Sequence, residues 1–240
     1  EIASCLVGSE MCIRDRVWRS LRQQAEQFAG WNPVMRWNVE YRVLEHDCFE
    51  AALGANLGFS LRHLGGDKLQ AWLTALLRSE PAIAVQSAAD LERFVKDDPS
   101  CVDHYVALSS CAGFQALQLY RISHMLWLNL EHHNAMMLKN WAAQVWGIDI
   151  HPGAEIGKGV VVRHGQGLVI DDGVVIEDDV TLWNAVSVLR SPVGACKSPV
   201  LKRGVTVHAQ SVLCGGVIVK KGVTLPECTL FTESVADVVN

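Results

Sequence analysis

The sequence has no basic excess. Its 21 Lys and Arg face 26 Asp and Glu, a formal charge of −5, which argues against nucleic acid or an anionic membrane as the main partner. It also lacks a long apolar run. The most apolar stretch, 107–130, is interrupted by Gln115, Gln118, Arg121 and His124, and no segment reaches the ~18–20 uninterrupted apolar residues of a membrane span. Cysteines at ligand spacing are missing as well. Cys48, Cys101, Cys111, Cys196, Cys214 and Cys228 form no C-x-x-C pair and match neither a zinc site nor a disulfide framework. They read as reduced, mostly buried thiols of a cytoplasmic protein. What remains is globular: 240 residues, half of them apolar and a fifth charged, enough for one domain or two modest ones.

An initiator Met is absent too, and the first sixteen residues differ from the rest. Leu6 to Asp15 back-translate to a string resembling a transposon adapter used in sequencing libraries. Residues 1–16 are therefore read as non-native and set aside, with the true N-terminus expected to be missing.

Residues 17–148 read as an all-α domain. Val17, Leu21, Ala25 and Phe28 recur at helical steps before Gly30 and Pro33. Further helical runs are expected from Tyr41 to Leu57, Leu69 to Leu77, Ala82 to Val95, Ala107 to Leu130 and Ala135 to Val145. Ser87 to Asp90 supply polar residues able to cap a helix start, and Asp97-Asp98-Pro99 is a stop.

From Asp149 the period becomes six. Ile150, Ile156 and Val162 are followed by Ile170, Ile176, Leu182 and Val188, then by Val207, Leu213, Val219, Leu225 and Phe231. For a half-apolar chain, twelve apolar positions in such register arise by chance about once in 4,000 trials, before allowing for choice of register. A second column follows four residues after each, from Ala154 and Val160 to Val235, broken at Gln166 and Pro192. A chain that turns a corner every six residues, three corners per coil, is a parallel β-helix. The register slips twice. Two extra residues lie around His164-Gly165-Gln166-Gly167, and nineteen residues separate Val188 from Val207. The second slip is expected to hold a loop, 189–206, outside the coils, and insertions in solenoids often form the binding face.

The segments DPSCVDHY, GFQALQLYRISHMLW and GIDIHPGAEIGKGVVVRHGQGLVI resemble, in order and spacing, the serine O-acetyltransferases of the hexapeptide-repeat acyltransferase superfamily. The resemblance runs from about Val17 to Val235. It implies an all-α N-terminal domain followed by a left-handed parallel β-helix over 149–240. It also implies acetyl transfer from acetyl-CoA to the hydroxyl of L-serine, the first step toward cysteine, without an acyl-enzyme. His164 would be the general base, since a histidine with pKa near ~6.5 suits removal of a hydroxyl proton. Asp149 would be its carboxylate partner, fixing the tautomer. Fifteen residues separate the two, close to one coil, so stacking is expected to bring them together.

By the same resemblance Asp103 would hold the substrate amine, though a helix cap is the competing reading. Ala209, Gly215, Gly216 and Lys220 would line the acetyl-CoA groove. No tightly bound cofactor and no metal are expected. The implied partners are further copies of the chain, as a homotrimer or a dimer of trimers with the site between subunits, and a cysteine synthase.

The sequence departs from the family at the substrate loop. Arg163 stands where the family has Asp before the catalytic His, inverting a charge that would attract an ammonium group. Lys197 and Ser198 stand where a loop Arg and His grip the substrate, and Lys lacks the planar fork of Arg. Leu189-Arg190 replace a double glycine. Three readings stay open: a serine acetyltransferase, an acetyltransferase for another small hydroxyl or amine, and a non-catalytic assembly homologue. His151 reads as structural or as part of the site wall, and Glu131-His132-His133 as a polar helix end. Asp171-Asp172 and Asp178-Asp179 read as turn acids, and the eight tryptophans as packing and interface residues.

Overall fold

A computed structural model describes residues 2–66, 68–191 and 197–232, with side chains from residue 13 onward. The chain divides into two compact units, Glu1–Cys111 and Ala112–Asn240.

The first unit is helical throughout: α1 (Ile2–Trp31), a 3₁₀ turn (Pro33–Met35), α2 (Arg36–Val39), a π turn (Glu40–Leu44), α3 (Phe49–Gly65), α4 (Leu69–Ser79), α5 (Pro81–Asp97) and α6 (His104–Ser110). Val17, Leu21, Ala25 and Ala29 form the buried stripe of α1, one residue per turn, as a helix packed on one face requires. Residues 13–16, set aside from the sequence, continue this helix, and Arg14 pairs with Glu50 and Arg16 with Glu92. The exposed Arg16–Glu92 pair adds little stability, Glu50 of the other pair is buried, and a helix carried on from Val17 says nothing of where those residues came from. Helix α5 starts at Pro81, where a fixed φ and a missing N–H cost nothing. The expected cap at Ser87 to Asp90 is therefore corrected: that segment lies inside α5, and the Ser87 hydroxyl donates to the Ile83 carbonyl.

The second unit opens with α7 (Ala112–Leu128) and α8 (His132–Trp146). The helix read from 107 to 130 is thus two. Cys111 is extended, with φ −85° and ψ 107°, and the unit boundary falls there. Packing groups α7 and α8 with the coils, whereas the sequence boundary at 148/149 marks the change of secondary structure. The two criteria answer different questions.

Thirteen short strands follow among the described residues: β1 (Asp149–Ile150), β2 (Glu155–Ile156), β3 (Val161–Val162), β4 (Val169–Ile170), β5 (Val175–Ile176), β6 (Thr181–Leu182), β7 (Ser187–Leu189), β8 (Val200–Leu201), β9 (Thr206–Val207), β10 (Val212–Cys214), β11 (Ile218–Val219), β12 (Thr224–Leu225) and β13 (Leu230–Phe231). They stack into three parallel sheets ordered β1-β4-β7-β10-β13, β11-β8-β5-β2 and β12-β9-β6-β3. This is the left-handed parallel β-helix.

All twelve members of the period-six column lie in strands, and all but Phe231 are buried. Each contributes about 1.5–3 kcal/mol by leaving water. The second column is inward from Ala154 to Val223; Val235 lies outside the described residues. Leu168 takes the inward place that Gln166 vacates. One expectation is corrected: Val200-Leu201 is not in an outer loop but in β8, paired with β5 and β11. The excursion is therefore confined to residues 190–199. Its residues 192–196, including Pro192 and Cys196, lie outside the described residues.

The base of this solenoid explains the polar residues of α7. Strands β1, β2 and β3 end their sheets, so the first coil has no coil beneath it to receive its backbone. Side chains of α7 take that role. The Tyr120 hydroxyl donates to the Ala154 carbonyl at 2.6 Å, Arg121 to the carbonyls of Ile156 and Gly157, and the His124 ring contacts the Pro152 carbonyl at 2.7 Å. A Cβ on Gly113 would sit 2.0 Å from the Val162 carbonyl oxygen, so the helix approaches the coil as closely as glycine permits. Among the described residues no helix is long and apolar enough to cross a membrane.

The thiols are less buried than expected. Among the described cysteines Cys101 is buried, Cys48, Cys111 and Cys214 are half-buried and Cys228 is exposed. The coil explains two of them: Cys214 follows inward Leu213, so it points outward, and Cys228 sits on a corner with φ 55°. The tryptophans also divide, since Trp31 and Trp37 are exposed while Trp183 packs against the coils.

Candidate active site

The two-residue slip in register produces an irregular corner. Its tip is His164, exposed and in the left-handed region at φ 59°. That conformation costs a non-glycine residue about 1–2 kcal/mol. Asp179, Ala185, Gln210 and Cys228 share it, so the strain belongs to the coil's corners generally, and the inserted residues are what set His164 apart. The next residue must be glycine. Gly165 has φ 79°, and a Cβ there would meet Ile148 Cδ1 at 2.6 Å and Val162 Cγ1 at 2.9 Å. The Gly167 amide then donates to the Gly147 carbonyl at 2.7 Å, closing the corner onto the start of the first coil.

Three outward side chains line up beside His164. Arg163, Trp183 and His208 each follow an inward residue of one sheet: Val162, Leu182 and Val207. The Arg163 amide donates to the Leu182 carbonyl at 2.8 Å, that of Trp183 to Val207 at 3.1 Å, and that of His208 to Leu225 at 3.2 Å. Parallel coils therefore stack the side chains as well. The Arg163 guanidinium carbon lies 4.4 Å from the Trp183 ring centroid, within cation–π range. On the other side the His208 ring stacks at 5.3 Å and 27°. The His164 ring is 6.1 Å from Trp183.

Asp149 lies in β1. Its strand register pairs it with Val169, and its Oδ2 accepts from Lys139 Nζ of α8 at 2.8 Å. His164, fifteen residues on, stands on the corner ahead of that register position. The carboxylate thus pairs with the ammonium of Lys139. Asp103 is the N-cap of α6, accepting from the Val106 amide at 2.8 Å, and it belongs to the other compact unit. His151 Nδ1 accepts from the Gly153 amide and lies 3.5 Å from Asp172 Oδ1, and its ring meets Trp127 edge-on. Glu131 precedes α8, and His132 stacks on Trp127 at 4.2 Å.

The outer excursion is pinned at both ends to one acidic turn. The Arg190 amide donates to Asp171 Oδ2 at 3.0 Å and its guanidinium to Asp172 at 3.3 Å. The Ser198 hydroxyl donates to the Asp172 carbonyl at 3.0 Å, and the Ser191 amide to the Lys197 carbonyl at 2.9 Å. The turn acids Asp178 and Asp179 pair with Arg203. Lys197 lies along Gly216, where a Cβ would meet its Cδ at 2.9 Å, so the structure brings these two candidates together. Gly215 is buried at φ 81°, Ala209 is half-buried, and Gly216 and Lys220 are exposed.

The profile for the N-terminal region of serine acetyltransferases matches residues 17–119. A Schizosaccharomyces pombe protein assigned as a serine acetyltransferase is 30% identical over 92% of the chain and 83% of its own length. The chain belongs to the serine acetyltransferase family. It spans about half the length of two Arabidopsis thaliana relatives, 49% and 54%. Among solved structures, serine acetyltransferase from Vibrio cholerae superposes with a TM-score of 0.89 at 25% identity, covering 93% of this chain and 88% of that one. A serine acetyltransferase in complex with CoA gives 0.87 at 27% identity, covering 92% and 94%.

Within this serine acetyltransferase-family chain, three site residues escaped the sequence reading. Trp183 and His208 were legible in principle: both occupy the slot after an inward residue, as Arg163 does, and aligning that slot coil by coil puts the three in one column. Lys139 carried no signal, because its partner lies across a helix-to-coil packing that periodicity does not report.

Proposed function

We propose that the chain catalyses transfer of an acetyl group from acetyl-CoA to the hydroxyl of L-serine, with His164 as general base. One ring nitrogen takes the serine hydroxyl proton as its oxygen attacks the thioester carbonyl. The C–S bond then breaks, and the proton passes to the departing CoA sulfur. The products are O-acetylserine and CoA, with no acyl-enzyme between. The observation that carries this reading is His164, presented to solvent at the inserted corner of a coil in a chain of this family. Asp149 is the carboxylate partner in the proposal. Lys139 engages one of its oxygens, which leaves the second for an imidazole.

In the same reading Arg163, Lys197, Ser198 and Asp103 bind the acceptor, and Ala209, Gly215, Gly216 and Lys220 face acetyl-CoA. No resident cofactor takes part. The reaction is the first step from serine toward cysteine, run in the cytoplasm by a homotrimer or a dimer of trimers, with a cysteine synthase as a protein partner. Residues 1–16 stand outside the native protein, and the catalytic domain is 149–240. A second reading, acetylation of another small hydroxyl or amine, is favoured by the cation at 163 and the altered loop 189–199. A third, a non-catalytic assembly subunit, has the Asp149–Lys139 pair in its favour.

A thiol-release assay with acetyl-CoA and L-serine tests the proposal. CoA release that requires serine and falls by roughly 10²–10⁴-fold in His164→Ala is the expected result. Release unchanged in that variant would sink the mechanism. Silence with serine but release with another small alcohol or amine would favour the second reading. Silence with all acceptors and no acetyl-CoA binding would favour the third.

A further inference from the structure

We infer that Cys101 and Cys111 form a site of reversible oxidation, closing under hydrogen peroxide into a disulfide that spans α6. Its chemistry is independent of the proposed acetyl transfer and needs no substrate. The two cysteines bracket α6 within the first compact unit. Cys101 is buried and Cys111 half-buried, and both are free thiols. Their side chains share a hydrogen bond across the short helix. Backbone bonds hold each end: the Cys101 amide donates to the Asp98 carbonyl at 3.0 Å, and the Cys111 amide to the Ala107 carbonyl at 3.3 Å. The Cys101 thiol also donates to the Asp103 carbonyl at 3.4 Å. The two sulfurs already face each other in the reduced protein.

The shared proton decides which sulfur reacts first. It stays on Cys101, whose pKa is raised, and the Cys111 pKa falls despite burial and the Asp98 carboxylate, which oppose ionisation. The thiolate is the nucleophile in thiol oxidation, and Cys111 is also the more exposed of the two. Its sulfur attacks one peroxide oxygen. An S–O bond forms, the O–O bond breaks, and the departing hydroxide takes a proton to become water. The Cys101 sulfur then attacks the Cys111 sulfur. The S–S bond forms, the S–O bond breaks, and the Cys101 proton leaves with the second hydroxide as water. Two thiols and one peroxide give one disulfide and two waters, the sulfurs losing the two electrons that the peroxide gains. A low-pKa thiol beside a resolving partner is the arrangement of reversible thiol sensors, and disulfides in reducing compartments are mostly of this transient kind. Joining the sulfurs shortens a thiol contact to ~2.0 Å. A seven-residue helix is too short to hold itself rigid, so α6 can follow.

The test treats the native protein with hydrogen peroxide near neutral pH, blocks residual thiols and maps the peptides by mass spectrometry. The expected result is a Cys101–Cys111 cross-link, lighter by two hydrogens, that forms about tenfold faster than Cys48 or Cys228 is oxidised. Dithiothreitol restores both thiols as it closes to its own cyclic disulfide. Cys101→Ser keeps a hydroxyl donor beside Cys111 but removes the resolving sulfur, so the Cys111 sulfenic acid persists and is trapped by dimedone. Wild type gives less than about a tenth of that adduct. In Cys111→Ser the remaining Cys101 is oxidised about tenfold more slowly than the wild-type pair. A Cys101 that stays a thiol while Cys111 goes on to sulfinic acid overturns the inference. So do equal rates of oxidation at Cys48, Cys111 and Cys228, or a cross-link that joins other cysteines first. The wild-type map alone decides these outcomes, so a substitution that unfolds the chain leaves the test intact.

Discussion

Replacing Tyr120 by Phe removes one oxygen and tests how the solenoid is closed at its base. The ring is buried, and its hydroxyl donates to the Ala154 carbonyl at 2.6 Å in the first coil, which has no coil beneath it. Phenylalanine keeps the packing and leaves that carbonyl without the donor. A neutral hydrogen bond contributes about 0.5–1.5 kcal/mol, and a buried orphan acceptor costs about 1–3 kcal/mol, so Tyr120→Phe should destabilise the protein by about 1–3 kcal/mol. Urea unfolding followed by far-UV circular dichroism reads this directly, and the accompanying fall in Tm is about 2–10 °C. The pH dependence gives an independent check. Burial pushes the Tyr120 phenol above its ordinary range. A group whose folded pKa is raised contributes stability that is fully present below its unfolded pKa of about 10 and is lost as pH rises beyond it. The gap between wild type and Tyr120→Phe should therefore narrow above pH ~10, by at most about 1.4 kcal/mol per pH unit. A gap below ~0.5 kcal/mol near neutrality, or one that stays constant through that range, would refute the idea that α7 side chains stand in for a missing coil.

Asp103→Ala should cost about 0.5–2 kcal/mol through loss of the α6 cap, whereas Asp103→Ser keeps the cap and should recover most of that stability. If Asp103 also holds the acceptor's amine, KM for serine stays raised in Asp103→Ser; recovery of both would leave the residue a cap alone. Cys101 and Cys111 share a thiol hydrogen bond that raises the Cys101 pKa and lowers that of Cys111. Iodoacetamide near pH 8, followed by peptide mass spectrometry, should therefore label Cys111 well before Cys101, and Cys101→Ala should slow Cys111. Equal labelling rates would contradict the pairing.

Most of the fold could be read from the sequence because a coil repeats its demands. Every sixth residue meets the same crowded interior, so the inward column stands out, and the slips in register mark where the chain leaves it. The reading failed where one position answered to two neighbours. Val200-Leu201 looked like loop because the excursion before it hid the return to register. Cys111 looked helical because residues on both sides are. The polar residues of α7 excluded a membrane span, yet their role at the base of the coils depends on which carbonyls face them, and no spacing states that. The site divides the same way. His164 was marked by the insertion it sits in, while Asp149's partner Lys139 and the stack beneath Arg163 arise from contacts between segments far apart in sequence.

The double anchoring of the outer excursion bears on how such a chain changes its chemistry. Arg190 and Ser198 are both tied to the Asp171-Asp172 turn, and Ser191 to Lys197, so both feet of the loop are fixed on the scaffold. The segment between the feet can then lengthen, shorten or be rewritten without disturbing the coils, since doubling a loop's length costs only ~0.6 kcal/mol in closure entropy. The excursion behaves as an exchangeable cassette.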